Sequence, residues 1–190
     1  MNEIVIFGGP NGAGKTTAAK ILLPKFFRLY EFVNADEIAR TISPQNAELT
    51  VFKAARMMIE RVRANLDDRK NFAFETTCSG KSQIPMLRIC KANGWRITLL
   101  YFWLSSPELS IARVAQRVRE GGHSIPQEVI RRRFVSGLRN MLSLYLPLAD
   151  DAEIYDNDNC GRVLIAEKRM GEDLVVRDAG RWSRMSELTK

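Results

Sequence analysis

An apolar run, Ile4-Val5-Ile6-Phe7, leads into the glycine-rich segment Gly9-Pro10-Asn11-Gly12-Ala13-Gly14-Lys15-Thr16. The segment fits the pattern G-x-x-x-x-G-K-S/T at every position, and this pattern belongs where a buried strand turns into a helix. Its N–H groups surround a β-phosphate, its lysine bridges β- and γ-oxygens, and its hydroxyl ligates Mg²⁺. The helix predicted from Thr17 to Leu23 points its positive end at the same anion. The sequence therefore predicts that Gly9 to Thr17 bind a nucleotide, with Lys15 on its phosphates and Thr16 on Mg²⁺.

Length and composition predict one domain. The chain has 190 residues, 45% of them hydrophobic, and no proline- or serine-rich linker divides it. A chain of this size can bury one sizeable core. We therefore expect residues 1–190 to form a single domain.

The apolar segments and the cysteines favour a cytoplasmic protein that does not enter a membrane. The longest apolar run near the middle, Leu99 to Leu104, is far too short to span a bilayer, and the N-terminus lacks an export signal. The three cysteines, Cys78, Cys90 and Cys160, contain no C-x-x-C pair, and the chain has one histidine. Neither a disulfide framework nor a Cys/His zinc site is expected, and the thiols should be reduced.

The net charge of +7 suits an anionic partner, and the placement of the arginines indicates which kind. Arginines crowd residues 113–139 without the interleaved aromatic residues of a single-strand nucleic-acid platform. We expect this segment to be a helical lid that faces ATP, with Arg117 and Arg132 on the phosphates, and this argues against a nucleic-acid partner. For most of the lid arginines, a solvated basic face is the alternative.

Strands alternate with helices along the chain. Strands are predicted at residues 31–34, 72–76, 97–104 and 152–155, with a hairpin formed by 162–169 and 174–177. Helices are predicted at 47–69 and 81–91, from Ser106 to the glycines 121–122, from a capping box of Ser124 and Gln127, and through Trp182. This order predicts an α/β fold of the P-loop NTPase type: a mostly parallel, doubly wound sheet with an arginine-bearing helical lid and a C-terminal β-hairpin.

Two carboxylates are predicted to lie at the edge of the sheet where ligands bind, because Asp36 follows the second strand and Glu75 ends the third. Phosphoryl transfer needs a group that accepts the proton of the acceptor hydroxyl, and Asp36 is the candidate. The alternative is that Asp36 only caps a helix at 37–40. Glu75 lies in an apolar strand, so it needs a partner: an acceptor hydroxyl or Mg²⁺-bound water, or alternatively an arginine. Thr77 and residues 78–80 should close over the acceptor.

The chain resembles the zeta-toxin family of P-loop kinases over most of its length. The motifs that carry the resemblance are Gly8 to Thr17, Asn34-Ala35-Asp36, Phe74-Glu75-Thr76-Thr77, the lid from Arg117 to Phe134 with Gly121-Gly122-His123-Ser124-Ile125-Pro126, and Tyr155-Asp156-Asn157. The lid differs from that of the best-known toxins in its double glycine and histidine. The apolar run 97–104 gives way to Ser105-Ser106 rather than a Walker B aspartate, so further Mg²⁺ contacts should come from Asp36, Glu75 or water.

The resemblance implies a single P-loop kinase domain that uses ATP and Mg²⁺ to phosphorylate a hydroxyl of UDP-N-acetylglucosamine or a related nucleotide-linked metabolite. It implies that Lys15 binds phosphate, that Asp36 is the base, that Asn34, Asp36, Glu75 and Thr77 contact the acceptor, and that two lid arginines bind phosphate. Some members are neutralised by a small antitoxin, so an antitoxin partner is a further expectation.

Three other functions compete with this one. A different small-molecule kinase would share every motif above. A P-loop ATPase or nucleotide-binding regulatory protein would lack an acceptor, although the chain has no L-S-G-G-Q signature of a transporter ATPase. A nucleic-acid-binding NTPase is suggested by basicity alone, and steep salt dependence of RNA or DNA binding would reveal it.

Overall fold

The computed structural model describes residues 1–26, 31–34, 38, 47–122, 124–159 and 161–189. The strands are β1 (Glu3–Gly8), β2 (Glu31–Val33), β3 (Phe72–Thr76), β4 (Arg96–Trp103), β5 (Asp151–Asp156), β6 (Val163–Lys168) and β7 (Val175–Val176). The helices are α1 (Lys15–Phe26), α2 (Ala47–Asp67), α3 (Ile84–Ala92), α4 (Pro107–Arg119), α5 (Gln127–Asn140), a π-helix (Met141–Tyr145), α6 (Leu146–Leu148) and α7 (Ala179–Glu187). Asp36, His123 and Cys160 lie outside the described residues.

Within the described residues the strands form one sheet in the order β2-β3-β1-β4-β5-β6-β7. The pairings from β2 through β5 are parallel, and β6 and β7 add an antiparallel edge. The last residue of β1, Gly8, pairs with Thr76 on one side and Tyr101 on the other. The predicted fold class is confirmed: a mostly parallel α/β sheet with a C-terminal hairpin.

Alternating residues of β1 pack against opposite layers of helices. Ile4 and Ile6 join a core cluster with residues of α2, α3 and α5, whereas Val5 and Phe7 join a second cluster with residues of α1 and with Phe134. A strand that is apolar on both faces reads as a continuous hydrophobic run, which is how β1 and β4 read in the sequence. Covering both faces leaves the ends of the strands as the place for a polar site.

Two predicted helix starts are wrong, and proline explains both. The capping box of Ser124 and Gln127 does not form, because α5 begins at Gln127 with Pro126 at the N-cap position and no side-chain cap bond. The residue before a proline is pushed out of the helical region, so Ile125 cannot be helical. The helix predicted from Lys81 begins only at Ile84, because Pro85 is tolerated in the first turn alone.

Side chains of α5 and the π-helix hold the loop after β3 by hydrogen bonds to its backbone carbonyl oxygens. Asn140 donates to the carbonyl oxygens of Cys78 and Ser79 at 2.9 and 3.1 Å. The Tyr145 hydroxyl donates to the carbonyl oxygen of Gly80 at 3.2 Å. Cys78 itself has φ of 58°, a conformation that side chains other than glycine rarely adopt. These bonds fix the loop on which Thr77 lies.

The described residues bear on two predictions, one about membrane-spanning segments and one about the cysteines. No helix in them is long and apolar enough to cross a membrane. Cys78 and Cys90 are buried and carry free thiols. Burial raises the pKa of the Cys78 thiol to about 12, so this thiol stays neutral at physiological pH.

The close approach of α5 to the β3 loop yields a stability test at Gly137. A Cβ on Gly137 would lie 2.3 Å from the carbonyl oxygen of Thr77, so Gly137→Ala should lower the free energy of unfolding by about 1–3 kcal/mol. Gly180→Ala in α7 is the matched control, because its Cβ would meet only ordinary contact at 3.6 Å and alanine favours the helix. Urea unfolding measures both. Equal stability of the two variants would contradict the packing described.

Candidate active site

The phosphate-binding loop follows β1 and is anchored by Lys15. Lys15 begins α1, is 5% exposed, and donates from Nζ to the carbonyl oxygen of Pro10 at 2.8 Å. Two features require glycine at position 9. Its φ is 142°, and a Cβ there would lie 2.3 Å from the carbonyl oxygen of Phe102. The loop therefore curls tightly against β4 and projects the start of α1 toward the strand ends.

The carboxylate of Glu75 contacts three other polar side chains of the site. Its Oε2 accepts hydrogen bonds from Thr16 Oγ1 at 2.7 Å and from Asn34 Nδ2 at 2.8 Å, and its Oε1 lies 3.5 Å from Lys15 Nζ. Because β3 lies directly beside β1, the end of β3 delivers this carboxylate to the mouth of the phosphate-binding loop. The partner that the sequence required for Glu75 is thus Lys15 with Thr16 and Asn34 rather than an arginine.

The pair formed by Thr16 and Glu75 suits Mg²⁺. A hydroxyl oxygen and a carboxylate oxygen 2.7 Å apart are both hard donors, and Mg²⁺ in phosphate sites takes one or two protein oxygens and keeps the rest of its shell for phosphates and water. No larger group of metal-binding side chains occurs in the described part of the chain. Glu75 lies near the end of β3, on the other side of β1 from β4, whereas β4 is followed by Ser105 and Ser106 and not by an acid.

The lid is tied to the phosphate-binding loop by α4. Ser110 donates to the carbonyl oxygen of Asn11, and Arg113 donates to the carbonyl oxygens of Gly12 at 3.4 Å and Asp158 at 2.7 Å. No motif singles out Ser110, because it is an isolated serine inside a predicted helix. A polar residue on the buried face of an amphipathic lid helix was the one available signal.

The segment after β5 also supports the loop. Asn157 donates from Nδ2 to the carbonyl oxygen of Ala13 at 2.8 Å, and the N–H of Asp158 donates to Asp156 Oδ1 at 2.9 Å. The second bond closes an Asx turn, and this turn presents Asn157 to the phosphate-binding loop.

The lid arginines separate by helix face. Arg117 on α4 and Arg133 on α5 line the cleft beside the phosphate-binding loop. Arg132 is exposed and lies outside the cleft, and Arg131 pairs with Glu108. Val129 and Arg133 are one turn apart on the face that lines the cleft, and Arg132 is turned about 100° away from it. The structure thus brings Arg117 to the site and puts Arg133 where Arg132 was expected.

A cleft of about 1770 Å³ opens in front of Glu75. On the side of β4 and β5 it is bounded by the phosphate-binding loop and Arg113. On its other side the cleft continues along α2, which contacts β2, along α3 and along the β3 loop, where Thr77 and Ser79 line it with their hydroxyls 2.8 Å apart. The site therefore has room beside the nucleotide phosphates for a second molecule.

The Glu75 contacts yield a second stability test. Glu75→Gln keeps the shape but leaves the Lys15 ammonium without a counter-charge, so the free energy of unfolding should fall by about 1–3 kcal/mol. Glu60→Gln is the control, because it removes one carboxylate from an exposed i,i+4 pair with Arg56 and should change stability negligibly. Urea unfolding without nucleotide compares them. A Glu75→Gln variant as stable as wild type would show that the pair does not hold the site together.

The sequence is similar to a known protein family and to a known bacterial protein. Residues 4–137 match the AAA domain family (AAA_33). An uncharacterized protein of Haemophilus influenzae is 30% identical over 134 residues, which cover 70% of this chain and 94% of that protein.

Solved structures share the fold. An AvrRxo1-ORF1:-ORF2 structure with ATP has a TM-score of 0.73 at 17% identity, and this chain, matched over 100% of its length, spans 63% of the AvrRxo1 chain. The PezAT chromosomal toxin-antitoxin system of Streptococcus pneumoniae has a TM-score of 0.60 at 19% identity, covering 100% of this chain and 87% of that one. At these identities the likeness is one of fold. Since the family match covers more than half of the sequence, the chain belongs to the AAA domain family and has a P-loop kinase-like fold.

Proposed function

We propose that the protein is an ATP-dependent kinase that transfers the γ-phosphoryl group to a hydroxyl of a nucleotide-linked metabolite such as UDP-N-acetylglucosamine. The observation that carries the proposal is the position of the Lys15, Thr16 and Glu75 cluster at the middle of a cleft that extends to both sides of it. A site built for hydrolysis alone needs room only for a water molecule beyond the γ-phosphate. The resemblance to zeta toxins supplies the acceptor class.

On the donor side, Gly9 to Thr17 surround the triphosphate, and Lys15 lies on its β- and γ-oxygens. Thr16 and Glu75 would hold Mg²⁺, which when bound neutralises charge on those oxygens. Arg113 and Asn157 keep the loop in shape by binding its carbonyl oxygens, which leaves its N–H groups for phosphate.

On the acceptor side, the proposal assigns the proton to Asp36. Asn34 follows β2 and donates a hydrogen bond to Glu75, and Asp36 comes two residues later in the chain. The acceptor oxygen bonds to the γ-phosphorus, the bond from that phosphorus to the β,γ-bridging oxygen breaks, and the hydroxyl proton passes to the Asp36 carboxylate. Thr77 and Asn34 orient the acceptor. Arg117 and Arg133 stabilise charge on the transferring group.

The proposal includes an antitoxin-like protein partner. Its support is the PezAT system, which is named a toxin-antitoxin system and shares the fold over the whole of this chain. Such a partner would have to block the cleft or the lid, the two features without which no transfer occurs.

The transfer assay is the main test of this proposal. Protein, labelled ATP and Mg²⁺ are incubated with a panel of nucleotide sugars and dinucleotides. Lys15→Ala and Asp36→Asn should each lower the rate of transfer by at least about 100-fold, because one removes phosphate binding and the other the proton acceptor. Asp173→Asn, an exposed carboxylate outside the cleft, is the control. Hydrolysis that ignores both the acceptor and Asp36→Asn would instead identify an ATPase.

The lid gives a paired test of two adjacent arginines. Arg133→Gln should lower kcat by about 100-fold, because Arg133 lines the cleft and would stabilise charge in the transition state. Arg132→Gln removes the same charge from the exposed face of the same helix and should leave kcat unchanged. Steady-state kinetics with the acceptor found above measures both. A larger effect at Arg132 would restore the residue predicted from sequence and contradict the orientation of α5.

A further inference from the structure

The cleft wall formed by α2 and α3 is apolar except for one cation. The residues of α2 that line it are Met58, Ile59, Val62, Arg63 and Leu66, and those of α3 are Pro85, Met86 and Ile89. Ile59 and Ile89 are 45% and 64% exposed. Large apolar side chains at this exposure in a cleft suit a ligand with a flat or apolar part.

Arg63 lies within this wall, and no carboxylate among the described residues pairs with it. No described residue forms a hydrogen bond or ion pair with its guanidinium, and Glu75 is the one described carboxylate that lines the cleft. Glu75 is already engaged by Lys15, Thr16 and Asn34. Arg63 is therefore available to an anion that enters the cleft from solvent.

The position of Arg63 separates it from the ATP side. The phosphate-binding loop follows β1, and its supports Arg113 and Asn157 come from the side of β4 and β5. Helix α2 contacts β2, which lies on the opposite side of β1 beyond β3. Arg63 is exposed at this end of the cleft, away from the supports of the phosphate-binding loop.

We infer that Arg63 and the apolar wall form a subsite for the acceptor, in which Arg63 binds a phosphate or diphosphate group of a nucleotide and the wall takes its base. The inference rests on the proposed function, in which a second substrate accepts the phosphoryl group. It adds Arg63 as the residue that selects an anionic acceptor. A guanidinium suits this task because its planar donors match phosphate oxygens in pairs.

Binding to the full chain tests the subsite directly. Calorimetry is run with Mg²⁺ and a saturating non-hydrolysable ATP analogue, which keeps the phosphate-binding loop occupied. The probes are UDP-N-acetylglucosamine, uridine monophosphate and uncharged N-acetylglucosamine. Arg63→Gln should raise the Kd of both nucleotides by about tenfold and leave binding of N-acetylglucosamine unchanged. Arg61→Gln is the matched control, because it is exposed on the same helix and lies outside the cleft.

The outcomes separate the subsite from the kinase reaction. Nucleotide binding that is absent in wild type, or equal in wild type and Arg63→Gln, overturns the inference and makes Arg63 a solvated surface arginine. Weaker nucleotide binding by Arg63→Gln, together with no phosphoryl transfer by wild type, supports the subsite and contradicts the proposed function. Phosphoryl transfer by wild type and Arg63→Gln with the same KM for the acceptor contradicts the subsite and supports the proposed kinase.

Discussion

The carboxylate of Glu75 joins three segments that are far apart in the sequence. It accepts hydrogen bonds from Thr16 at the start of α1 and from Asn34 after β2, and it lies 3.5 Å from the Lys15 ammonium. A lysine that is 5% exposed would cost free energy if it had no counter-charge, and the carboxylate would do the same. Their pairing therefore holds together the phosphate-binding loop after β1, Asn34 after β2 and the end of β3.

A second constraint links the lid to the acceptor loop through one helix. Arg133 lines the cleft from α5, and Gly137 and Asn140, one and two turns later, press on and bond to the loop after β3. The C-terminal end of α5 is thus fixed to the loop, whereas its N-terminal end carries no side-chain cap. Arg133 at the cleft and the contacts to the loop that carries Thr77 therefore lie on one helix.

Local patterns were sufficient to predict the strands and the centre of the site. β1 and β4 are apolar on both faces, and Glu75 is conspicuous as a charge in an apolar strand. The rest depends on tertiary contacts that no local pattern encodes. Choosing Arg133 over Arg132 requires the rotation of α5, which depends on which face packs against the core, and the capping prediction at Ser124 failed because Pro126 overrides it. The support given by Ser110 and Asn140 to backbone carbonyls involves residues 99 and 62 positions away.

The positive charge of the chain also has a local explanation. Six cationic side chains line the cleft: Lys15, Lys20, Arg63, Arg113, Arg117 and Arg133. Among the described residues that line it, Glu75 is the one carboxylate, and Arg113 binds neutral carbonyl oxygens, which leave its charge uncompensated. A cleft with this excess attracts polyanions over a distance comparable to the Debye length, about 8 Å at physiological salt. A nucleotide triphosphate on the phosphate-binding loop would be bound by the charges near β1, β4 and β5, and Arg63 on α2 is the cation that the proposed acceptor subsite uses.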